Sequence, residues 1–158
     1  MIEREWRFTD KSKWGDGPWQ QEPDKKQWTD AATGFPCLIV RGPHGALCGY
    51  VGVTLSHPFF GKSYNDVDVE VHGGLTFADR CQPNREHGIC HIVEQGENEN
   101  VWWFGFDCAH SGDVSPWLLL KGLRNFGETY HDVAYVTRAI TRLAKQLKEG
   151  RLAPRSRG

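Results

Sequence analysis

Hydrophobic and polar positions along this chain change period several times, and each change marks an element. The densest apolar run is Val101-Trp-Trp-Phe-Gly-Phe-Asp107. At period two, Trp102, Phe104 and Phe106 fall on one side of a strand and Trp103, Gly105 and Asp107 on the other. A strand apolar on both sides is covered on both sides, so this run predicts a central strand. Gly105 marks a place on it where another group comes close. Phe35 to Arg41 and Ala46 to Val53 flank Gly-Pro-His-Gly and predict a hairpin. In Asp66-Val-Asp-Val-Glu-Val-His72 the alternation is strict, with three valines on one face and Asp66, Asp68, Glu70 and His72 on the other. It predicts a half-buried strand. Ile2 to Phe8 predicts a short strand with Ile2, Arg4, Trp6 and Phe8 on one face, and Ile89 to Val93 a strand that pairs with 101–107 through the polar turn at 95–100. Val133, Val136, Ile140, Leu143, Ala144 and Leu147 recur at three- and four-residue steps. With Asp132 at the start and Gly150 after Lys145 and Lys148 at the end, they predict a long amphipathic helix.

Between these elements the chain is punctuated rather than patterned. Trp14 to Trp19 is turn chemistry, and Glu22 to Trp28 predicts one helical turn with Pro23 at its first position. Together they make an N-terminal flap pinned by Trp14, Trp19 and Trp28, a reading preferred to an aromatic ligand platform because large aromatics mostly serve packing. Asp30 to Gly34 is a turn and His57 to Tyr64 a loop, while nothing in 118–127 places that stretch. The expected architecture is a single α+β domain over residues 1–150. It has a mainly antiparallel sheet of about five or six strands, a long C-terminal helix on one face, and a frayed basic tail from Arg151 to Gly158.

Composition narrows the function classes. The chain of 158 residues carries a formal net charge of -1, which gives no general attraction to nucleic acid or an anionic membrane. No run approaches the roughly 20 apolar residues of a membrane span, and the N-terminus does not resemble a signal peptide, so the expected location is the cytoplasm. The 5 cysteines contain no Cys-x-x-Cys pair. Their odd number in such a chain argues against a disulfide framework and for buried thiols. Cys81, His87, Cys90 and His91 could ligate zinc, although their spacing fits no standard module and a plain loop is preferred.

Candidate chemistry collects in two places. Asp107, His110 and Asp113 appear together where the aromatic strand runs into a polar loop, and His72 lies where the polar face of 66–72 meets Gly73-Gly74. Both are ionisable groups on rigid apolar strands next to glycine, so the functional pocket is expected where the two segments meet, with His72 and Asp107 in reach of one ligand. Tyr50, between Gly49 and Gly52, either donates its hydroxyl to that pocket or is a core tyrosine. The chain has no Walker-type loop, no Gly-x-Ser-x-Gly, no His-Glu-x-x-His and no deaminase signature.

Cys48-Gly-Tyr-Val-Gly-Val53, His72-Gly-Gly-Leu-Thr76 with Phe77, the block Trp102 to His110 with Gly112-Asp113, and Ala134-Tyr-Val136 resemble an uncharacterised family of small phage and bacterial proteins. The resemblance runs from about Thr33 to Leu147. It implies a phage or bacterial cytoplasmic origin, the host cytoplasm if phage-encoded, and brings no activity with it.

Two functions follow as expectations. The first is a protein that binds a small ligand or a host protein, with Tyr50, Trp102 or Trp103 stacking and His72, Asp107 and His110 supplying polar contacts. The alternative is a metal-assisted hydrolase acting on a phosphodiester or nucleotide. There His72, Asp107, His110 and Asp113 would hold zinc, manganese or a similar ion, and Glu70 would act as base for a metal-bound water.

Overall fold

The hairpin forms as its alternation requires: β3 (Pro36–Arg41) and β4 (Leu47–Thr54) pair antiparallel with Cys37 opposite Val51 and Val40 opposite Cys48. The computed structural model describes residues 1–82, 88–97, 100–110, 113–117, 121–122 and 129–153. Around the hairpin are β1 (Arg4–Trp6), β2 (Lys25–Thr29), β5 (Phe77–Arg80) and β6 (Val101–Asp107). The six strands form one antiparallel sheet in the order β1-β2-β3-β4-β6-β5. Among the described residues one long helix, α1 (Val133–Glu149), packs on one face, so the fold is α+β with the helix at the C-terminal end.

Side-chain alternation gives the sheet two apolar faces. Towards α1 lie Cys37, Ile39, Leu47, Val51, Val53, Phe104 and Phe106, which meet Val136, Ala139, Ile140, Leu143, Ala144 and Leu147 of the helix. Gly49 makes this contact possible, because a Cβ there would overlap the Phe106 ring and Ile140. On the opposite face Leu38, Val40, Tyr50, Val101 and Trp103 form a smaller cluster, with Cys81 and Ile89 packed on it. Gly105 and Tyr50 are opposite one another in the β4–β6 register, and the tyrosine ring fills the space that the missing Cβ leaves. The two-sided apolar pattern of 101–107 therefore reflects cover on both sides. β6 is interior, flanked by β4 and β5.

Four local expectations are corrected. Glu22 to Trp28 is not a helical turn, since its second half is β2, whose Lys25 and Gln27 side chains are buried and hydrogen bonded to the carbonyls of Gly88, Ile2 and Ile92. The helical turn comes earlier, a 3-10 turn at Pro18–Gln21. Asp66 to His72 is not a ladder strand. Its alternation persists, with Val67 buried, Val69 and Val71 packed on the core, and Asp66, Asp68 and Glu70 exposed. Its backbone is satisfied by the Gln146 side chain, which bonds both the N–H and the C=O of Glu70, and by the Arg151 carbonyl. Ile89 to Val93 does not pair with β6; β5 takes that edge, with Phe77 opposite Gly105. The main chain of Ile92 bonds the buried Gln27 amide instead. Finally, Cys81 and Cys90 are joined in a disulfide, because the chain after β5 turns back and brings their Cα atoms to 4.6 Å. Cys37 and Cys108 are buried free thiols and Cys48 is half-buried. Burial pushes all three thiols up, Cys48 to about 11.

The flap is anchored by charge as much as by indoles. Trp19 is buried edge-on against Tyr130. Beneath it the fully buried Arg41 bonds Asp24 at 2.9 Å, the carbonyls of Gly45 and Pro23, and Tyr130. Asp24 also accepts from the N–H groups of Phe8 and Thr9 and pairs with Lys11 at 3.0 Å. Glu22 accepts from the Tyr130 hydroxyl and from the N–H of Val133, the first residue of α1. Buried charges are tolerable when every partner is in place, as here. At the other end of the helix, Arg151 to Ala153 stay attached to residues 66–68, where fraying was expected, and 154–158 lie outside the described residues.

Candidate functional site

At the end of the sheet where β6 stops, three separate segments place donors around one point. Asp113 follows the loop after β6, and its own N–H donates to the His110 carbonyl, while the His110 N–H donates to Asp113 Oδ2 at 2.9 Å. A parallel bridge to Thr129 completes its fixation. The carboxylate is thereby held in place and buried. His72 reaches it from the end of the 66–72 segment, with Nε2 at 2.8 Å from Oδ1. His131, immediately before the α1 capping residue Asp132, reaches the same oxygen with Nε2 at 2.9 Å.

Tyr135 closes the group from the first turn of α1. Its hydroxyl is 2.8 Å from His72 Nδ1, and its ring stacks on His131 with centroids 4.1 Å apart. The two imidazoles are themselves 4.5 Å apart. With an N–H on each Nε2, both histidines donate to Asp113 and Tyr135 O–H donates to His72 Nδ1, so every polar atom just named is satisfied. Burial pushes the His131 imidazole below its ordinary value, against the pull of Asp113, and the neighbouring His72 acts in the same direction as burial. A neutral imidazole is the form that binds a metal.

A ring nitrogen of His72, one of His131 and a carboxylate oxygen of Asp113 all lie within 4.8 Å of one another. Two imidazoles and one carboxylate are a borderline to hard donor set, suited to zinc, iron or manganese, and three protein ligands leave coordination positions open. The surroundings have the form of an outer shell: Tyr135 fixes the far nitrogen of His72, and the His110 N–H fixes Asp113 Oδ2, which His72 Nε2 also approaches at 2.9 Å. Both histidine side chains keep some exposure, 17% and 16%, while the Asp113 side chain between them is buried.

The structure thus joins the two segments, through residues only partly foreseen. His72 and Asp113 come together, but Asp107 and His110 make a pair of their own at the rim. His110 Nδ1 is 3.1 Å from Asp107 Oδ1, and Thr76 donates to Asp107 Oδ2 at 3.1 Å. The His110 ring rests against Gly73, which has a positive φ of 69° and no room for a Cβ on that side. The carboxylate that His72 bonds is Asp113, while Asp107 is engaged by His110 and Thr76.

Glu70 is exposed beside Asp68, Gln146 and Arg151, and is not one of the three converging donors. Tyr50 is a core tyrosine on the face away from α1, edge-on to Phe77, its hydroxyl pushed up by burial. Trp103 is fully buried in the same cluster and donates to Cys81 Sγ, which leaves it no face for a ligand. Trp102 packs on Phe60 and bonds the Lys62 carbonyl. Of the proposed zinc ligands near the disulfide, His87 lies outside the described residues. His131 and Tyr135 were missed. The available signal was their i, i+4 spacing across a helix start, next to the capping Asp132.

Comparison with protein-family models, with curated proteins and with solved structures returns no match to this chain.

Proposed function

We propose that the protein holds one divalent metal ion at His72, Asp113 and His131 and uses it to activate a water molecule for hydrolysis. The observation that carries this reading is the convergence of three donor atoms, from three segments far apart in sequence, within 4.8 Å. Two histidines and a carboxylate with open positions are the arrangement in which a metal lowers the pKa of bound water and polarises a substrate oxygen. Tyr135 suits either state of the site. Its hydroxyl donates to His72 Nδ1 without the ion and accepts from the Nδ1–H once Nε2 is a ligand. Asp107 and His110, paired at 3.1 Å and tied to the centre by the His110 N–H on Asp113, are the nearest candidates for moving a proton in that reaction. A phosphodiester or nucleotide is the first substrate class to try. The competing reading, a binding pocket between 66–72 and 107–113 with Tyr50, Trp102 or Trp103 stacking and His72, Asp107 and His110 as polar contacts, has less support because the Tyr50 and Trp103 rings are committed to the core. The phage or bacterial origin implied by the sequence blocks belongs to this proposal. Among the described residues no helix is long and apolar enough to cross a membrane.

The test is titration of protein with Co²⁺, read by its visible absorption, and with Zn²⁺ by calorimetry, keeping the Cys81–Cys90 disulfide intact. One ion per chain is expected. His72→Ala, Asp113→Ala and His131→Ala should each lose it, whereas Tyr135→Phe should weaken it by about 10–100-fold. A parent protein that takes up neither ion, or alanine variants that bind as the parent does, would overturn the reading.

A further inference from the structure

A second set of donors sits on the opposite face of the sheet. Cys81 follows β5 directly, Cys90 and His91 lie on the returning chain, and the Gln82 N–H closes the loop onto the Ile89 carbonyl. Both sulfurs and a ring nitrogen of His91 lie within 4.8 Å of one another, with His91 Nδ1 3.8 Å from Cys81 Sγ. The indole N–H of the buried Trp103 donates to that sulfur at 3.2 Å, and the His91 ring is 5.3 Å from the Trp103 ring. A disulfide gains little from an N–H donor and a neighbouring imidazole. A thiolate gains from both, and two thiolates with one imidazole are a soft-metal donor set whose hydrogen-bonded sulfur is ordinary outer-shell support.

We propose that Cys81, Cys90 and His91 form a redox-gated site for a thiophilic divalent cation of the zinc class, with the disulfide as its closed state. An external dithiol opens it. The S–S bond breaks, two electrons come from the dithiol, which becomes a disulfide, and two protons pass to the sulfurs. The cation then binds both sulfurs and His91, and the two thiol protons leave to solvent. In either state Cys81 and Cys90 stay tied, which holds the chain that covers Lys25 through the Gly88 carbonyl and Gln27 through Ile92. In a reducing compartment the ion replaces the covalent staple. The inference is independent of the histidine centre.

Protein reduced anaerobically and freed of reductant is titrated with Cd²⁺, following the ultraviolet charge-transfer absorption of cadmium thiolate. The band should saturate at one ion per chain. It should be missing from the parent with its disulfide intact and from Cys81→Ser/Cys90→Ser, and His91→Ala should weaken binding by about tenfold or more. The oxidised parent serves as control should the serine variant fold poorly. A reduced protein without the band overturns the proposal. So does an equal band in the serine variant, which would assign it to Cys37, Cys48 or Cys108. The His72–Asp113–His131 group contains no sulfur, so its occupation cannot mimic the signal.

Discussion

His131 shows how a single side chain escapes a reading of pattern. It lies outside the periodic part of α1, beside a capping aspartate, and its chemistry depends on Asp113, which comes from a different part of the chain. His72 and Asp113 were legible because each follows a clear apolar run; which carboxylate His72 would meet was not, since that depends on a loop path no periodicity encodes. The setting of His131 also has a consequence for stability. Its folded pKa lies below the ordinary value of 6.5, so the unfolded chain binds that proton more readily. Its contribution is therefore present above the ordinary value and is lost as pH falls through the folded one. In urea unfolding of metal-free protein between about pH 7.5 and about pH 5, His131→Gln should show a shallower loss of stability than the parent. Equal slopes would remove His131 from the acid response.

At the scale of elements, the sequence conveys which side chains are buried better than what satisfies the backbone. The valines of 66–72 alternate as a strand's would and are buried or half-buried as expected, yet among the described residues only a single bridge, Val67 to Leu152, pairs with them, and a helix side chain holds Glu70. β2 was hidden for the opposite reason, because Lys25 and Gln27 sit at inward positions where the alternation rule looks for apolar residues. The β3–β4 hairpin, β6 and α1 were readable because period and burial agree in them. Gln146→Ala tests the arrangement. It removes both bonds to Glu70, at 2.7 and 2.8 Å, and should cost about 1–2 kcal/mol. Hydrogen exchange should speed up at the Glu70 amide while β4 and β6 keep their protection. Unchanged exchange at Glu70 would mean that the side chain does not hold the segment.

Across the whole molecule, the Asp24–Arg41 group ties flap, sheet and helix together. Burial alone would raise the Asp24 carboxyl, but the N–H groups of Thr9 and Phe8, then Lys11 and Arg41, hold it below its ordinary value. Asp24→Asn leaves the buried Arg41 and Lys11 cations short of an anion and should destabilise by about 3–5 kcal/mol. In urea this appears as a lower midpoint with an unchanged slope. Glu3→Gln, at the exposed partner of Lys26, should change the stability by less than about 1 kcal/mol. Equal effects of the two variants would contradict the role given to the buried group.

Glu22 meets Tyr130 and Val133 across separations of 108 and 111 residues. Translation proceeds at about 5–20 residues per second, so the flap leaves the ribosome roughly 5–20 s before the partners that cover it. Through that interval the growing chain carries Trp19, Arg41 and Asp24 without Tyr130 and α1 over them. A segment made early is completed by one made 108 residues later, and the histidine centre, which needs His131 from that same later stretch, cannot assemble before the flap has something to close against.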